Sequence, residues 1–238
     1  MRHIIITGAS SGIGKQLALD YAAEGWNVTA CGRDGAKLAA VAADSPLMST
    51  LGFDITDLLA TRQALQGKQA DLVILCAGTC EYLDNGVVEA ERVARVLNTN
   101  FIGPINCLDA LLPTLSAGSR VALVGSTACL LPFSRAEAYG ASKAALAYFA
   151  RSLAVDLAVR NIHISLIQPG FVDTPLTSRN NFPMPMMVTV AQASRYIRKK
   201  LARGAGEIAF PPLFARLLMV ASLLPIGVQK WLSRKMVI

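Results

Sequence analysis

The sequence predicts an α/β fold: a single domain built on a doubly wound parallel sheet flanked by helices. Three observations carry that expectation. Short runs rich in Ile, Val and Leu alternate with amphipathic stretches. A glycine-rich turn lies where the first such run meets the first helical stretch. The 238 residues are 53% apolar and 16% charged, enough for one buried core but short for two typical domains.

Taken in order, residues 4–7, 27–31, 72–76, 120–124 and 162–167 have the length and branched apolar content of buried strands. Residues 13–24, 35–43, 58–66 and 139–159 have the pattern of helices. Strand–helix alternation at this spacing builds right-handed crossovers, hence a parallel sheet covered on both faces. Residues 173–187 break the rhythm with Pro175, Pro183 and Pro185, and place Met184, Met186 and Met187 beside Phe182. Two readings stand for this loop. It is a Met-rich lid over an apolar substrate, outside the strand ends where such sheets bind ligands, or a segment that packs on the body. The expected division is a catalytic domain over 1–210, with its irregular loop at about 173–188, and an apolar, basic helical extension over 211–238.

Charge and cysteine usage narrow the partners. The net charge is +7, but residues 195–238 hold nine Lys or Arg against the single acid Glu207, so the positive charge belongs to the tail. Five cysteines, at 31, 76, 80, 107 and 129, are odd in number and contain no CxxC pair. That pattern fits reduced thiols and a cytoplasmic setting. The first strand begins within a few residues of Met1, so no signal peptide is expected ahead of it. With only His3 and His163, no metal site is predicted.

The turn Thr7-Gly8-Ala9-Ser10-Ser11-Gly12-Ile13-Gly14 marks a candidate phosphate cradle. Gly8 permits the tight turn, Gly12 lets a pyrophosphate approach the backbone, and Gly14 lets helix pack on strand. Gly8, Ser10, Ser11, Gly12, Ile13 and Gly14 then offer groups to the phosphates at a helix N-terminus. The same residues also spell G-x-S-x-G, the nucleophile elbow of hydrolases. That rival fails because only one strand precedes the turn, and the sole downstream histidine, His163, falls within a predicted strand.

The spacing G-x-x-x-G-x-G resembles the short-chain dehydrogenase/reductase superfamily, and further motifs follow in order. Asp54-Ile55-Thr56-Asp57 is similar to the family's adenine-binding turn, with Asp54 and Ile55 as contacts. Cys76-Ala77-Gly78 stands where the family has Asn-Ala-Gly, so Leu75-Cys76 departs from its Asn-Asn pair. Asn100-Phe101-Ile102-Gly103 matches Asn-x-x-Gly, Ser126 precedes Tyr139 by thirteen residues, and Tyr139-Gly140-Ala141-Ser142-Lys143 is the Tyr-x-x-x-Lys signature. Pro169-Gly170 with Thr174 resembles the turn that meets the nicotinamide carboxamide. The resemblance covers residues 1 to about 175. It implies a Rossmann-type fold, a nicotinamide dinucleotide held also by Ala77, Gly78, Tyr139 and Lys143, and a homo-oligomer.

The chemistry follows from residue types. Reducing a carbonyl needs a hydride on carbon and a proton on oxygen. A phenol with an ordinary pKa near ~10 donates a proton but accepts one poorly at neutral pH. Lys143, four residues on along a helix, shares a face with Tyr139, and its ammonium is expected to depress the phenol's pKa. Ser126, at a strand end, can donate to the substrate oxygen. By resemblance, Asn100 positions a water linking Lys143 to solvent. At the end of the second strand, the family's discriminating acid is replaced by Gly32 and followed by Arg33, which can grip a phosphate bidentately. NADP(H) is therefore expected over NAD(H), against the lure of Asp34, which lies 20 residues after Gly14.

The tail from Pro212 is apolar but shorter than the ~20 residues a bilayer span needs. Trp231, Lys230, Arg234 and Lys235 follow. It reads as an interfacial helix drawn to anionic lipid, or as a helix covering the active-site mouth or a dimer interface. Nucleic acid is not an expected partner, because base-stacking aromatics are sparse among these cations. The expected activity is NADPH-dependent reduction of a lipophilic carbonyl, or the reverse oxidation. A non-catalytic dinucleotide sensor or scaffold on the same fold is the alternative.

Overall fold

The computed structural model describes residues 1–235; residues 236–238, the end of the predicted extension, lie outside the described residues. Seven strands form one sheet: β1 (His3–Thr7), β2 (Asn27–Gly32), β3 (Met48–Gly52), β4 (Leu72–Leu75), β5 (Arg120–Val124), β6 (His163–Pro169) and β7 (Glu207–Phe210). Their order is β3-β2-β1-β4-β5-β6-β7, and every neighbouring pair is parallel. The order reverses between β1 and β4, so a crevice opens there beyond the C-terminal strand ends.

Helices cover both faces. Helices α1 (Gly12–Ala23), α2 (Gly35–Ala42) and α7 (Val190–Leu201) lie on one. Helices α3 (Leu58–Leu65), α5 (Gly103–Leu111) and α6 (Glu137–Leu157) lie on the other, with α4 (Ala90–Leu97) packed against α6. The alternation of strand side chains is visible in β1: Ile4 and Ile6 enter one core and Ile5 the other, all fully buried. Each such isoleucine contributes about 2 kcal/mol. The chain closes with α8 (Pro212–Ser222) and α9 (Ile226–Lys235).

All five predicted strands and all four predicted helices form, with ends displaced by one or two residues. Cys76 lies just beyond β4 rather than in it, because its N–H donates to Thr7 Oγ1 (3.1 Å) instead of extending the ladder. β3, α4, α5 and α7 had no counterpart in the predicted elements. The irregular loop is pinned at both ends by the bridge between Val172 and Val188 and a hydrogen bond from Asp173 N to Val188 O.

Candidate active site

The glycine turn owes its shape to close approach. Gly8 and Gly12 have φ of +68° and +54°, which favour glycine. A Cβ on Gly14 would lie 2.3 Å from Gly8 O, and one on Gly8 would lie 2.8 Å from Ala77 Cα. Ser11 precedes α1 without a side-chain capping bond, so the first-turn N–H groups of α1 face the crevice.

The cleft above this turn has a volume of about 460 Å³, within the range of cofactor sites. Its lining includes every residue the sequence nominated for the dinucleotide, together with Ser126; Asn100 alone lies behind the wall. Residues the motifs did not single out also line it, among them Lys37, Thr99 and Thr177. A positive-φ glycine cradle at a helix N-terminus, leading to a lysine and a tyrosine, fits a nicotinamide dinucleotide.

The departure at Leu75-Cys76 is absorbed locally. Leu75 is core, and Thr7 Oγ1 accepts from both Cys76 N (3.1 Å) and Ala77 N (3.2 Å), bracing the end of β4 from β1. Burial pushes the Cys76 thiol up to about 11, so it stays neutral beside Lys143. Sequence reasoning missed Thr7, since a strand threonine carries no signal of its own.

Asn100 sits in a π-helical turn, Asn98–Ile102, that joins α4 to α5. Such bulges re-aim side chains and cluster at functional sites. Its Oδ1 accepts from Thr79 N (2.8 Å), while Nδ2 donates to Thr79 O (2.8 Å) and Ser142 Oγ (3.0 Å). Both amide protons are therefore spent on protein groups. The amide ties the end of β4 to α6. Gly103, closing the motif, leaves room for Ile55, whose Cδ1 would lie 2.5 Å from a Cβ there.

Tyr139 and Lys143 share a face of α6, with Lys143 Nζ 5.7 Å from the Tyr139 ring centre. Lys143 is buried and donates from Nζ to Val124 O (2.9 Å). Desolvation pushes its ammonium down to about 8. The expected depression of the Tyr139 phenol is corrected here. Burial raises its pKa, and the hydrogen bond with Ser126 opposes this only in part, so the phenol stays protonated in the protein alone. Ser126 Oγ accepts from Ala128 N (3.1 Å) and its contact to Pro169 O is long (3.5 Å), so the hydroxyl that meets Tyr139 can turn toward a ligand placed beside both.

At the far end of the cleft, Arg33 is largely exposed and lies 3.6 Å from Asp54 Oδ2. Asp34 caps α2 by accepting from Lys37 N (3.0 Å), so the lure toward NAD is a helix cap. Asp54 Oδ1 accepts from Thr56 N (2.9 Å) and Thr56 Oγ1 (2.8 Å). Burial, which raises its pKa, is outweighed by these bonds and by Arg33, and the carboxyl is held low.

A second cavity, about 180 Å³, opens beyond Tyr139. It shares Ser126, Tyr139, Gly170, Leu176 and Thr177 with the cleft. Its wall is aromatic: Phe182 stands edge-on to Tyr82 (5.8 Å between ring centres) and Phe171 (6.2 Å), and Phe171 meets Phe214 (5.8 Å). Phe182 is thus the loop's aromatic contribution to the wall, beside Leu176, Thr177 and Asn180. Met184, Met186 and Met187 do not line the cavity, and Met186 and Met187 point to solvent.

Residues 2–183 match the short chain dehydrogenase family. The chain belongs to the short-chain dehydrogenases. It is similar to an uncharacterized oxidoreductase of Myxococcus xanthus (strain DK1622), with 35% identity over 94% of this chain and 93% of the relative. A serine 3-dehydrogenase of Rhizobium radiobacter is 33% identical over 73% of each chain. The crystal structure of BdcA in complex with NADPH superposes with a TM-score of 0.78 at 20% identity, covering 87% of this chain and 91% of that one.

This short-chain dehydrogenase is therefore an oxidoreductase of CH–OH and C=O groups in small molecules, on a fold that binds a nicotinamide dinucleotide. Among its described residues, no helix is long and apolar enough to cross a membrane. The dehydrogenase departs from its motif set in the tail, which supplies Phe214 and Ser233 to the second cavity. No motif pointed to either residue.

Proposed function

We propose that this chain is an NADP(H)-dependent carbonyl reductase, or in reverse an alcohol dehydrogenase, of a lipophilic substrate. The observation that carries the reading is the junction of the two cavities at Ser126 and Tyr139. A substrate in the aromatic cavity presents its oxygen there. The dinucleotide would be held by the glycine turn, Asp54, Ile55, Ala77, Gly78, Lys143, Pro169, Gly170 and Thr174, and when bound it supplies the hydride for the carbonyl carbon.

Tyr139 carries the proton. Its buried phenol is protonated at neutral pH and delivers that proton to the carbonyl oxygen as negative charge develops. Ser126 turns its hydroxyl hydrogen to the same oxygen. Among the described residues the buried ammonium of Lys143 has no carboxylate partner, so the phenolate left on Tyr139 is the anion that offsets its desolvation. Asn100 acts as a positioning residue by tying Thr79 to Ser142 on α6.

Preference for the 2′-phosphate rests on Arg33, exposed at the cleft mouth with one loose ion pair, on Lys37 nearby, and on the lack of an acidic side chain at Gly32. The lipophilic character rests on the aromatic wall. A small polar substrate is the second reading, favoured by similarity to the serine 3-dehydrogenase. The outer face of α8 and α9 leaves Leu217, Val220, Leu223 and Trp231 exposed among cations, which supports contact with an anionic membrane surface. Exposed Tyr148 and Val155 on α6, with Val159 in the turn after it, support a homo-oligomer.

The experiment pairs cofactor titration with turnover of long-chain and small polar carbonyls. Wild type is expected to bind NADPH more tightly than NADH, and Arg33→Ala to weaken NADPH binding roughly ten-fold while sparing NADH. Tyr139→Phe should lower kcat by roughly a thousand-fold with NADPH affinity kept. Faster turnover of the polar carbonyls would overturn the lipophilic assignment, and an active Tyr139→Phe enzyme would remove the phenol from the mechanism.

A further inference from the structure

The second cavity is closed by five parts of the chain: the turn after β4, the stretch from β5 into α6, Gly170 and Phe171 after β6, the irregular loop, and the tail. The tail is held firmly in place. Gly170 lets Phe214 approach so closely that a Cβ there would lie 2.9 Å from Phe214 Cδ1. The turn between α8 and α9 is fixed by Gln229 Nε2, which donates to Ser222 O (2.9 Å) and Leu224 O (2.8 Å). This hairpin carries Ser233, on α9, to the cavity wall.

Ser233 is 6% exposed, and among the described residues its Oγ has no hydrogen-bond partner. A helical serine ordinarily returns its hydroxyl to a carbonyl one turn back, and Ser233 does not. A buried hydroxyl without a partner is unfavourable, and its persistence calls for a group that completes it. Four other polar side chains of the cavity wall, Thr127 buried and Tyr82, Arg135 and Thr177 half-buried, are already engaged. Tyr82 donates to Asn180 (2.6 Å), Arg135 to Asp84 (2.7 Å) and Asn181 (2.8 Å), Thr177 to Val172 O (2.6 Å), and Thr127 to Pro169 O (3.3 Å). Ser233 lines only the second cavity, away from the junction where Ser126 and Tyr139 meet the cleft.

We infer that Ser233 is a specificity-determining residue that hydrogen-bonds a second polar group of an amphiphilic substrate, separate from the reacting oxygen. The substrate class is then an apolar skeleton bearing two oxygen functions, one at Tyr139 and one at Ser233. This rests on the carbonyl-site reading above and adds the substrate's other end to it.

The test measures binding of a graded series of long-chain methyl carbinols and their ω-hydroxy counterparts to the full chain with NADP+ present, by calorimetry. At the chain length that spans the cavity, the ω-hydroxy compound is expected to bind roughly ten-fold more tightly. Ser233→Ala should erase that preference while leaving the plain carbinol's affinity unchanged. Ser233→Ala should also melt at or above the wild-type temperature, because the hydroxyl has no protein partner to lose. Absence of the preference in wild type, its survival in Ser233→Ala, or a lower melting temperature for Ser233→Ala would overturn the assignment. Turnover is read separately. If the ω-hydroxy preference holds but no carbinol is oxidised, the redox chemistry proposed above fails and the Ser233 contact stands.

Discussion

At the scale of single residues, the site holds a charge where burial disfavours it. Lys143 lies deep beside Tyr139 and donates to the Val124 carbonyl, and its ammonium is pushed down to about 8 from an ordinary 10.5. A lysine depressed in the folded state binds its proton more weakly than in the unfolded chain. Its contribution to stability is therefore complete above the unfolded value and is lost as pH falls through about 8. The displacement corresponds to about 3 kcal/mol. Lys143→Met should accordingly be more stable than wild type at pH 7, with the gap closing as pH rises from about 8 toward 10.5. Chemical denaturation of both proteins across that range measures the difference, which cancels the shared effects of buried tyrosines and cysteines. A Lys143→Met protein less stable than wild type at pH 7 would show that the Val124 hydrogen bond outweighs desolvation. In the proposed mechanism, a phenolate formed next to it would remove the penalty.

At the scale of elements, the junction of β1 and α1 decides whether the cleft exists. Helix α1 can start where it does only because Gly14 and Gly8 touch backbone to backbone. Gly14→Ala places a Cβ 2.3 Å from Gly8 O, and neither partner is a flexible side chain. The helix must move off the strand, which is expected to cost at least about 2 kcal/mol and to weaken dinucleotide binding by more than ten-fold. Thermal melting and nicotinamide fluorescence would report the two effects together. Gly35→Ala, where a Cβ meets nothing, is the control and should change neither. Equal behaviour of the two variants would mean that α1 tolerates displacement.

At the scale of the whole molecule, one terminal hairpin faces two ways. Phe214 and Ser233 turn inward to the second cavity, while Leu217, Val220, Leu223 and Trp231 face outward beside Arg216, Lys230 and Arg234. An apolar substrate partitioned into a lipid surface would meet this hairpin first. Sedimentation tests the arrangement. The chain should pellet with anionic phospholipid vesicles at low salt and not with neutral ones, and a Leu217→Asp/Val220→Asp variant should stay in the supernatant with its turnover of a soluble carbonyl intact. In buffer alone, the wild type should sediment as an oligomer that Val155→Lys converts to monomer. Equal pelleting with neutral vesicles would remove the role of the tail's cations.

What the sequence determined by itself is what local pattern can encode. Strands β1, β2, β4, β5 and β6 are short branched runs buried on both sides, so periodicity and composition find them. The glycine turn and the Tyr139–Lys143 pair are visible because their geometry depends on spacings of a few residues along one element. The edge strand β3 escaped, because Ser49 and Thr50 are exposed and Met48 and Leu51 only half-buried, which leaves no apolar run. Helix α4 buries only Val96, and α5 has Pro104 in its first turn, a residue that reads as a breaker yet is tolerated there. The three-dimensional structure alone decided that Asp34 caps a helix, that Thr7 braces the end of β4, and that burial outweighs the Ser126 hydrogen bond in setting the Tyr139 phenol. It alone brought Ser233 to a cavity shared with Cys80 and Phe171. Those facts turn on desolvation and on contacts between residues far apart in the chain, and no periodicity records either of them.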